Sequence, residues 1–186
     1  MDLRRRTVLG GAAALAAGAA WPAQAQTTLT ADEALAAERA AAAAEGKGVL
    51  LEFYASWCGW CRPMDQLLNA GVFTRVMAPR FRTYRMRVIE TRESMRRQQL
   101  EGADEVFERY TRSAAGGDAG LPFLVFIGAD GVTITDSVAS STRENIGFPA
   151  AEHELEWFDT MVRTAAPEVT REERLAILRA CLRLAA

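Results

Sequence analysis

Two cysteines three positions apart are the residues of this sequence best suited to chemistry. Cys58 and Cys61 stand in the run 52–64, Glu-Phe-Tyr-Ala-Ser-Trp-Cys-Gly-Trp-Cys-Arg-Pro-Met, which is typical of a strand passing into the first turn of a helix. Unpaired backbone N–H groups and the positive end of the helix dipole favour an anion at that turn. A thiolate is the nucleophile in disulfide exchange, so the spacing predicts a reactive thiol pair.

The first 25 residues are predicted to be an export signal rather than part of the fold. Arg4–Arg6 form a basic head, residues 7–20 an Ala/Gly/Leu run too short to span a bilayer, and Ala23–Ala25 a small-x-small cleavage site. Residues 5–9 also resemble a twin-arginine signal, and an ordinary secretory signal is the alternative. Cleavage would leave residues 26–186 as one domain, periplasmic or otherwise exported, without a membrane anchor.

Charge and cysteine count narrow the classes of partner. The signal holds three arginines and one aspartate, so the chain's 22 basic and 24 acidic residues become 19 and 23 after cleavage. This balance gives no reason to expect nucleic acid or an anionic membrane as a partner. All three cysteines lie in the exported part, where one pair can form a disulfide. Cys181 is predicted to be a lone buried thiol, with an intermolecular disulfide as the alternative.

Helical and strand patterns alternate along the chain and predict an α/β fold with a mixed central sheet flanked by helices. The run 49–54 is apolar except for Glu52, as in strands that are covered on both faces. Capping-box spacing marks two helix starts, at Thr30 and Thr170. The predicted elements are helices over 31–45, 59–70, 72–77 and 94–112 (broken near Gly102), strands over 49–54, 81–89, 121–127 and 132–138 (the last two joined by an Asp130-Gly131 turn), a flexible loop over 113–120, a helix from Pro149 to Pro167, and a C-terminal helical extension over 167–186.

Residues 53–62 resemble the active-site segment of thioredoxin-like proteins, and Pro122, which opens a strand before the hairpin, resembles their cis-proline. The resemblance covers roughly residues 30–165 and implies a thioredoxin-like fold with thiol–disulfide oxidoreductase activity. It makes Cys58 the attacking cysteine, Cys61 the resolving cysteine, and Pro122 the residue that faces the sulfurs. The chain is predicted to carry no bound cofactor and to reduce disulfides of protein substrates, and the resemblance implies a membrane-bound thiol donor as its partner redox protein. Trp60 stands where thioredoxin carries a proline. Because the residues between the cysteines tune the redox potential, oxidation and isomerisation of disulfides stay open as alternatives to reduction.

Several side chains around the two cysteines are expected to take part in proton transfer or in substrate binding. Glu52 lies where thioredoxins carry a buried aspartate, and burial should raise its pKa and suit it to take a proton from Cys61. The alternative is a strand-end glutamate that reaches water. Trp57, Trp60, Leu121 and Pro122 are predicted to contact the substrate, with Trp60 exposed and Trp57 half-packed. Cys58 is expected to be more exposed than Cys61.

Other classes of site are less well supported by the sequence. A zinc site needs four ligands, and beyond the pair only Cys181 and His153 remain, at no recognisable spacing, so no metal site is predicted. A structural disulfide across two residues gains little from loop closure. The main alternative is a module that holds Cu(I) with the two thiols, although only Met64 lies near them as a further soft ligand. Two predictions concern the surface: His153 faces solvent, and the arginines form a solvated face (Arg85, Arg87, Arg92, Arg96 and Arg97).

Overall fold

The computed structural model describes residues 29–116 and 119–186. The predicted export signal lies outside the described residues, as do two positions of the predicted loop over 113–120. The described elements are α1 (Ala31–Ala44), β1 (Gly48–Tyr54), α2 (Cys61–Asn69), α3 (Gly71–Met77), β2 (Phe81–Arg87), α4 (Glu93–Arg96), α5 (Ala103–Ala115), β3 (Phe123–Ile127), β4 (Thr133–Asp136), α6 (Glu152–Ala165) and α7 (Arg171–Ala185). Within this part of the chain, none of the helices combines the length and apolar character needed to cross a membrane.

The sheet is mixed, as predicted, and has the strand order β2-β1-β3-β4. β1 pairs parallel with β2 and antiparallel with β3, and β3 pairs antiparallel with β4. Neighbours on both sides place β1 at the centre, and its residues are buried from Gly48 to Phe53. The continuous apolar run of this strand is therefore explained by helices on both faces of the sheet.

Each face of the sheet carries its own apolar cluster, because successive side chains of a strand point in opposite directions. Leu50 of β1 packs with Leu67 of α2 and Phe158 of α6 on one face. Leu51 and Phe53 lie in the cluster on the other face, which α1 and α5 cover. The disulfide turn leaves the sheet at the carboxyl end of β1, where α/β sheets commonly place their sites.

The C-terminal helix is part of the main core. Its Thr170–Glu173 capping box forms as predicted: the Glu173 carboxylate accepts the Thr170 N–H at 2.8 Å, and the Thr170 hydroxyl oxygen accepts the Glu173 N–H at 3.2 Å. Ile177 and Cys181 are buried in the cluster that α2, α3 and α6 also line. The predicted extension thus supports the face of the sheet on which α2 lies.

Several predicted boundaries are wrong: α5 continues to Ala115 and takes the first three positions of the predicted loop, β2 ends at Arg87, and β3 begins at Phe123. Two further boundary errors have clear local reasons. The sixth helix begins at Glu152 rather than Pro149, because the Glu154 carboxylate accepts the Ala150 and Ala151 N–H groups at 2.8 and 2.7 Å and so fixes the first turn there. The fourth strand ends at Asp136 rather than residue 138, because the chain turns at this point and Val138 instead bridges to Asn145. This departure brings residues 139–148 back towards the disulfide.

Candidate active site

The two cysteines meet at the start of α2. They form a disulfide with a Cα–Cα distance of 5.4 Å, and the Cys61 N–H donates a hydrogen bond to the Cys58 sulfur at 3.1 Å. This amide is one of the first-turn N–H groups that have no partner within the helix. The Cys58 sulfur therefore occupies the anion-favouring position at the helix N-terminus.

The predicted difference in exposure between the two cysteines is not present in the disulfide form. Cys58 is 6% exposed and Cys61 is 4% exposed, so both are buried. The cause is the apolar cover over the turn: Ala55 is buried with the sulfurs, and the side chains of Tyr54 and Leu121 pack against them. The sulfurs are therefore largely shielded by this cover in the disulfide form.

The loop before β3 lies beside the disulfide. The peptide bond between Leu121 and Pro122 is cis, in agreement with the resemblance of Pro122 to a cis-proline. Pro122 is buried, and the neighbouring Leu121 packs against the cysteines. An unforeseen residue holds the loop: the side-chain amide of Asn145 donates to the Gly120 carbonyl at 2.6 Å and to the Pro122 carbonyl at 3.0 Å.

The two tryptophans present apolar surface next to the sulfurs. Trp57 is 49% exposed and Trp60 is 54% exposed, so the predicted exposure of Trp60 and half-packing of Trp57 are both observed. The Trp57 indole donates to the Ile89 carbonyl at 2.9 Å. The Trp60 ring stacks on Phe148, with 6.1 Å between centroids and 8° between planes. An open pocket of about 380 Å³ lies beside this stack, and Leu121 and Asn145 are among its lining residues.

Glu52 is fully buried, as predicted from the strand pattern. Burial raises its pKa to about 7, and the neighbouring Arg85 guanidinium opposes this rise. One carboxylate oxygen pairs with Arg85 Nε, whereas the other has no hydrogen-bond partner among the described protein atoms. Glu52 alternates to the same face as Leu50, which is the face covered by α2, the helix that begins with Cys61.

The prediction of a solvated arginine face is wrong at two positions. Arg85 bridges buried Glu52 to Asp65 of α2, with 2.6 Å between its Nη1 and the Asp65 carboxylate. Arg87 pairs with buried Glu90 at 3.2 Å. The reason lies in the strand pairing, because Arg85 stands directly beside Glu52 across the β1–β2 ladder. The remaining three arginines of the set are exposed.

The residues that could hold a metal are dispersed. Within residues 29–116 and 119–186, no three His, Cys, Asp or Glu side chains are grouped closely enough to bind an ion together. Met64 is fully buried in the core and His153 is exposed on α6. Cys181 is a free buried thiol, as predicted, and burial raises its pKa to about 12. The Cu(I) alternative stays a prediction, because these observations do not test binding by the thiol pair alone.

A family model described as thioredoxin-like matches residues 29–129, which is more than half of the chain. The chain belongs to the thioredoxin-like family. The match runs from the start of α1 to the end of β3 and so contains the disulfide turn and the cis-proline loop. Family membership together with the Cys58–Cys61 disulfide confirms the predicted class, a thiol–disulfide oxidoreductase.

Several solved structures are similar to this thioredoxin-like chain at low identity. A disulphide isomerase from Xylella fastidiosa Temecula1 is 17% identical with a TM-score of 0.45, covering 88% of this chain and 97% of that chain. A DsbH oxidoreductase is 21% identical with a TM-score of 0.46 over 76% and 84% of the two chains. The reduced DsbD C-terminal domain of Neisseria meningitidis is 22% identical with a TM-score of 0.40 over 68% and 93%. None of the curated proteins matches the chain significantly in sequence.

Proposed function

We propose that this thioredoxin-like protein is an exported reductase of protein disulfides, with Cys58 as the attacking and Cys61 as the resolving cysteine. The observation that carries the proposal is the hydrogen bond from the Cys61 N–H to the Cys58 sulfur at the start of α2. The same donor that contacts the sulfur in the disulfide would stabilise a thiolate there once the pair is reduced, and a stabilised thiolate is the species that attacks disulfides.

The exchange has two steps. The Cys58 thiolate attacks one sulfur of a substrate disulfide, forming a mixed disulfide and releasing the other substrate sulfur as a thiolate, which takes a proton from solvent. Cys61 then loses its proton and attacks the Cys58 sulfur, so the Cys58–Cys61 disulfide forms and the second substrate thiolate leaves. The substrate gains two electrons and the pair loses two. Glu52, buried on the face covered by α2, is the proposed acceptor of the Cys61 proton.

The proposed substrate surface surrounds the disulfide. Trp57 and Trp60 offer exposed aromatic area next to the sulfurs, and Leu121, beside Pro122, packs against them. Such partly exposed apolar surface is suited to an extended polypeptide that carries a disulfide. The pocket beside the Trp60–Phe148 stack would take a side chain that flanks the substrate cysteine.

The proposal also includes the compartment of the protein, the direction of the exchange and the partner that supplies electrons. The basic head, the Ala-rich run and the cleavage site of residues 1–25 support export, either by the twin-arginine or by the general secretory route. Resemblance to thioredoxins supports the reductive direction. Each cycle leaves the pair oxidised, so a partner thiol protein must reduce it again, and we assign this role to a membrane-bound donor.

Cys61→Ser is the variant that tests the proposal, because it permits attack but prevents resolution. We expect cells that express it to accumulate covalent complexes through Cys58 that disappear on reduction, and we expect the wild-type pair to be mainly reduced when free thiols are alkylated at harvest. The matched control is Cys58→Ser/Cys61→Ser, which retains only Cys181. Complexes no more abundant than in the double variant would overturn the exchange mechanism, and a mainly oxidised wild-type pair would overturn the reductive direction.

A further inference from the structure

A carboxylate that the exchange mechanism does not use is bound to the disulfide turn. Glu90, just beyond the end of β2, is 3% exposed. One of its carboxylate oxygens accepts the Ser56 backbone N–H at 2.7 Å, and the other accepts the Ser56 hydroxyl at 2.7 Å. Ser56 lies two residues before Cys58. One buried side chain thus binds both the backbone and the side chain of Ser56, and losing a buried hydrogen-bond partner is costly, so this pair of contacts holds the turn firmly.

The residues next to Ser56 and Glu90 form a further hydrogen bond between the same two segments. The Trp57 indole N–H donates to the Ile89 carbonyl at 2.9 Å, so two consecutive residues of the turn bind two consecutive residues of the segment Ile89–Glu90. Within the turn itself, the Cys58 N–H donates to the Ala55 carbonyl at 3.2 Å. The part of the chain that carries the Cys58 sulfur is thus held from outside as well as by its own backbone.

The segment Ile89–Glu90 is in turn fixed by the region that follows it. Its backbone N–H groups donate to Asp104 at 2.6 Å and to Gln99 at 3.2 Å. Its carbonyls accept from Trp57 and, at 3.2 Å, from Arg96. Gln99 also donates to Asp104 at 2.9 Å, which ties the two side-chain acceptors together. All four backbone polar groups of the segment therefore have a partner.

The backbone of Ile89 shows that these contacts act against a local preference. Its φ is 44°, in the left-handed region that a β-branched side chain disfavours. Such a conformation persists only where the surroundings enforce it, and it occurs preferentially at functional sites. Here it allows the Ile89 carbonyl to reach Trp57 while the Glu90 side chain reaches Ser56.

We propose that Glu90 is a positioning residue: by binding both polar groups of Ser56 it holds the turn 55–58 so that the Cys58 sulfur stays within reach of Cys61. The inference rests on the exchange proposed above for these two cysteines. A turn held in place raises the effective concentration of one thiol at the other, and this favours closure of the disulfide over the open dithiol. Without the contact, the disulfide should be easier to reduce.

The equilibrium with glutathione measures this effect, because protein dithiol and oxidised glutathione exchange with protein disulfide and two reduced glutathiones. We expect Glu90→Ala to lower this equilibrium constant about tenfold, or about 30 mV for a two-electron couple. Glu90→Gln keeps an acceptor for the Ser56 N–H and should recover most of the loss. Ser56→Ala as a single variant should lower the equilibrium constant about threefold. Added to Glu90→Ala, it should cause no further decrease, because its partner is already gone.

A matched control removes another glutamate that pairs with an arginine of β2. Glu38→Gln breaks the ion pair with Arg82, which is remote from the turn, and should leave the equilibrium constant unchanged.

An unchanged equilibrium constant in Glu90→Ala would overturn the inference. The same holds if Glu90→Gln shifts the constant as far as Glu90→Ala does. If Glu90→Ala does not fold, Ser56→Ala decides alone, because Ser56 is exposed and its truncation is tolerable. A wild-type pair that fails to exchange with glutathione would instead refute the proposed function.

Discussion

Cys61→Ser should lower the steady-state rate of protein disulfide reduction by at least about 10³-fold while leaving the first covalent step intact. The loss follows from geometry: Cys61 lies 5.4 Å from Cys58 between Cα atoms, so resolution is intramolecular. Well-oriented intramolecular reactions have effective molarities of up to about 10⁵–10⁸ M, far above any external thiol. A stopped-flow assay with a fluorescent disulfide substrate should show a burst of one equivalent and then almost no turnover.

Two companion variants separate the roles of the three cysteines. Cys58→Ser should show neither burst nor turnover, because the attacking sulfur is gone. Cys181→Ala should keep the wild-type rate. Cys181 is buried in the cluster between α7 and the sheet, which is separate from the cluster that holds Cys58 and Cys61. A burst in Cys58→Ser but not in Cys61→Ser would show that the two roles are reversed.

Glu52→Gln should change how stability depends on pH. The carboxyl has a pKa of about 7 when folded and 4.5 as its ordinary value, because burial disfavours its charged form. The folded state therefore binds more protons than the unfolded state between these values, so the free energy of unfolding falls as the pH rises from 4.5 to about 7 and levels off above that. The glutamine of the variant stays neutral at every pH. Relative to the variant, the wild type should therefore lose about 2–3 kcal/mol of unfolding free energy between about pH 5 and about pH 8.

Denaturant unfolding of the oxidised wild type and of Glu52→Gln at both pH values measures this difference. Glu168→Gln is a suitable control, because Glu168 is an exposed carboxylate that also pairs with an arginine, Arg80. Its difference from the wild type should change little over the same interval. If the free energies of unfolding of wild type and Glu52→Gln differ by the same amount at both pH values, Glu52 is already ionised in the folded protein at about pH 5.

The same variant tests the proposed proton transfer. If Glu52 accepts the Cys61 proton, Glu52→Gln should slow resolution of a mixed disulfide by about 10²-fold or more, the usual contribution of general base catalysis. The rise of the wild-type rate near pH 7 should also disappear from the pH profile. An unchanged profile would leave Glu52 with a structural role only, paired with Arg85 under α2.

Features that depend on neighbouring residues were predictable from the sequence. The apolar run of β1, the Cys-x-x-Cys turn and the Thr170–Glu173 capping box each involve side chains within a few positions, so their patterns carry the structure directly. Burial of Glu52 followed from the same strand pattern. The family model adds independent support over residues 29–129.

Features that depend on which distant segments meet were not predictable. Arg85 looks like a surface residue of an alternating strand until the β1–β2 register places it beside Glu52. Asn145 and Phe148 belong to a segment without periodicity that returns to the disulfide only because the chain turns after β4. Glu90 reaches Ser56 through a backbone conformation that isoleucine rarely adopts, and no local pattern signals it.

The acidity of the Cys58 thiol is the most direct test of the whole account. In Cys61→Ser, ultraviolet thiolate absorbance can be followed against pH with little signal from Cys181, because burial raises the pKa of that thiol to about 12. The first-turn N–H groups of α2 should hold the Cys58 pKa below the value of about 8.5 found for free cysteine. A Cys58 thiol that ionises at or above that value would contradict the claim that this turn makes a reactive thiolate.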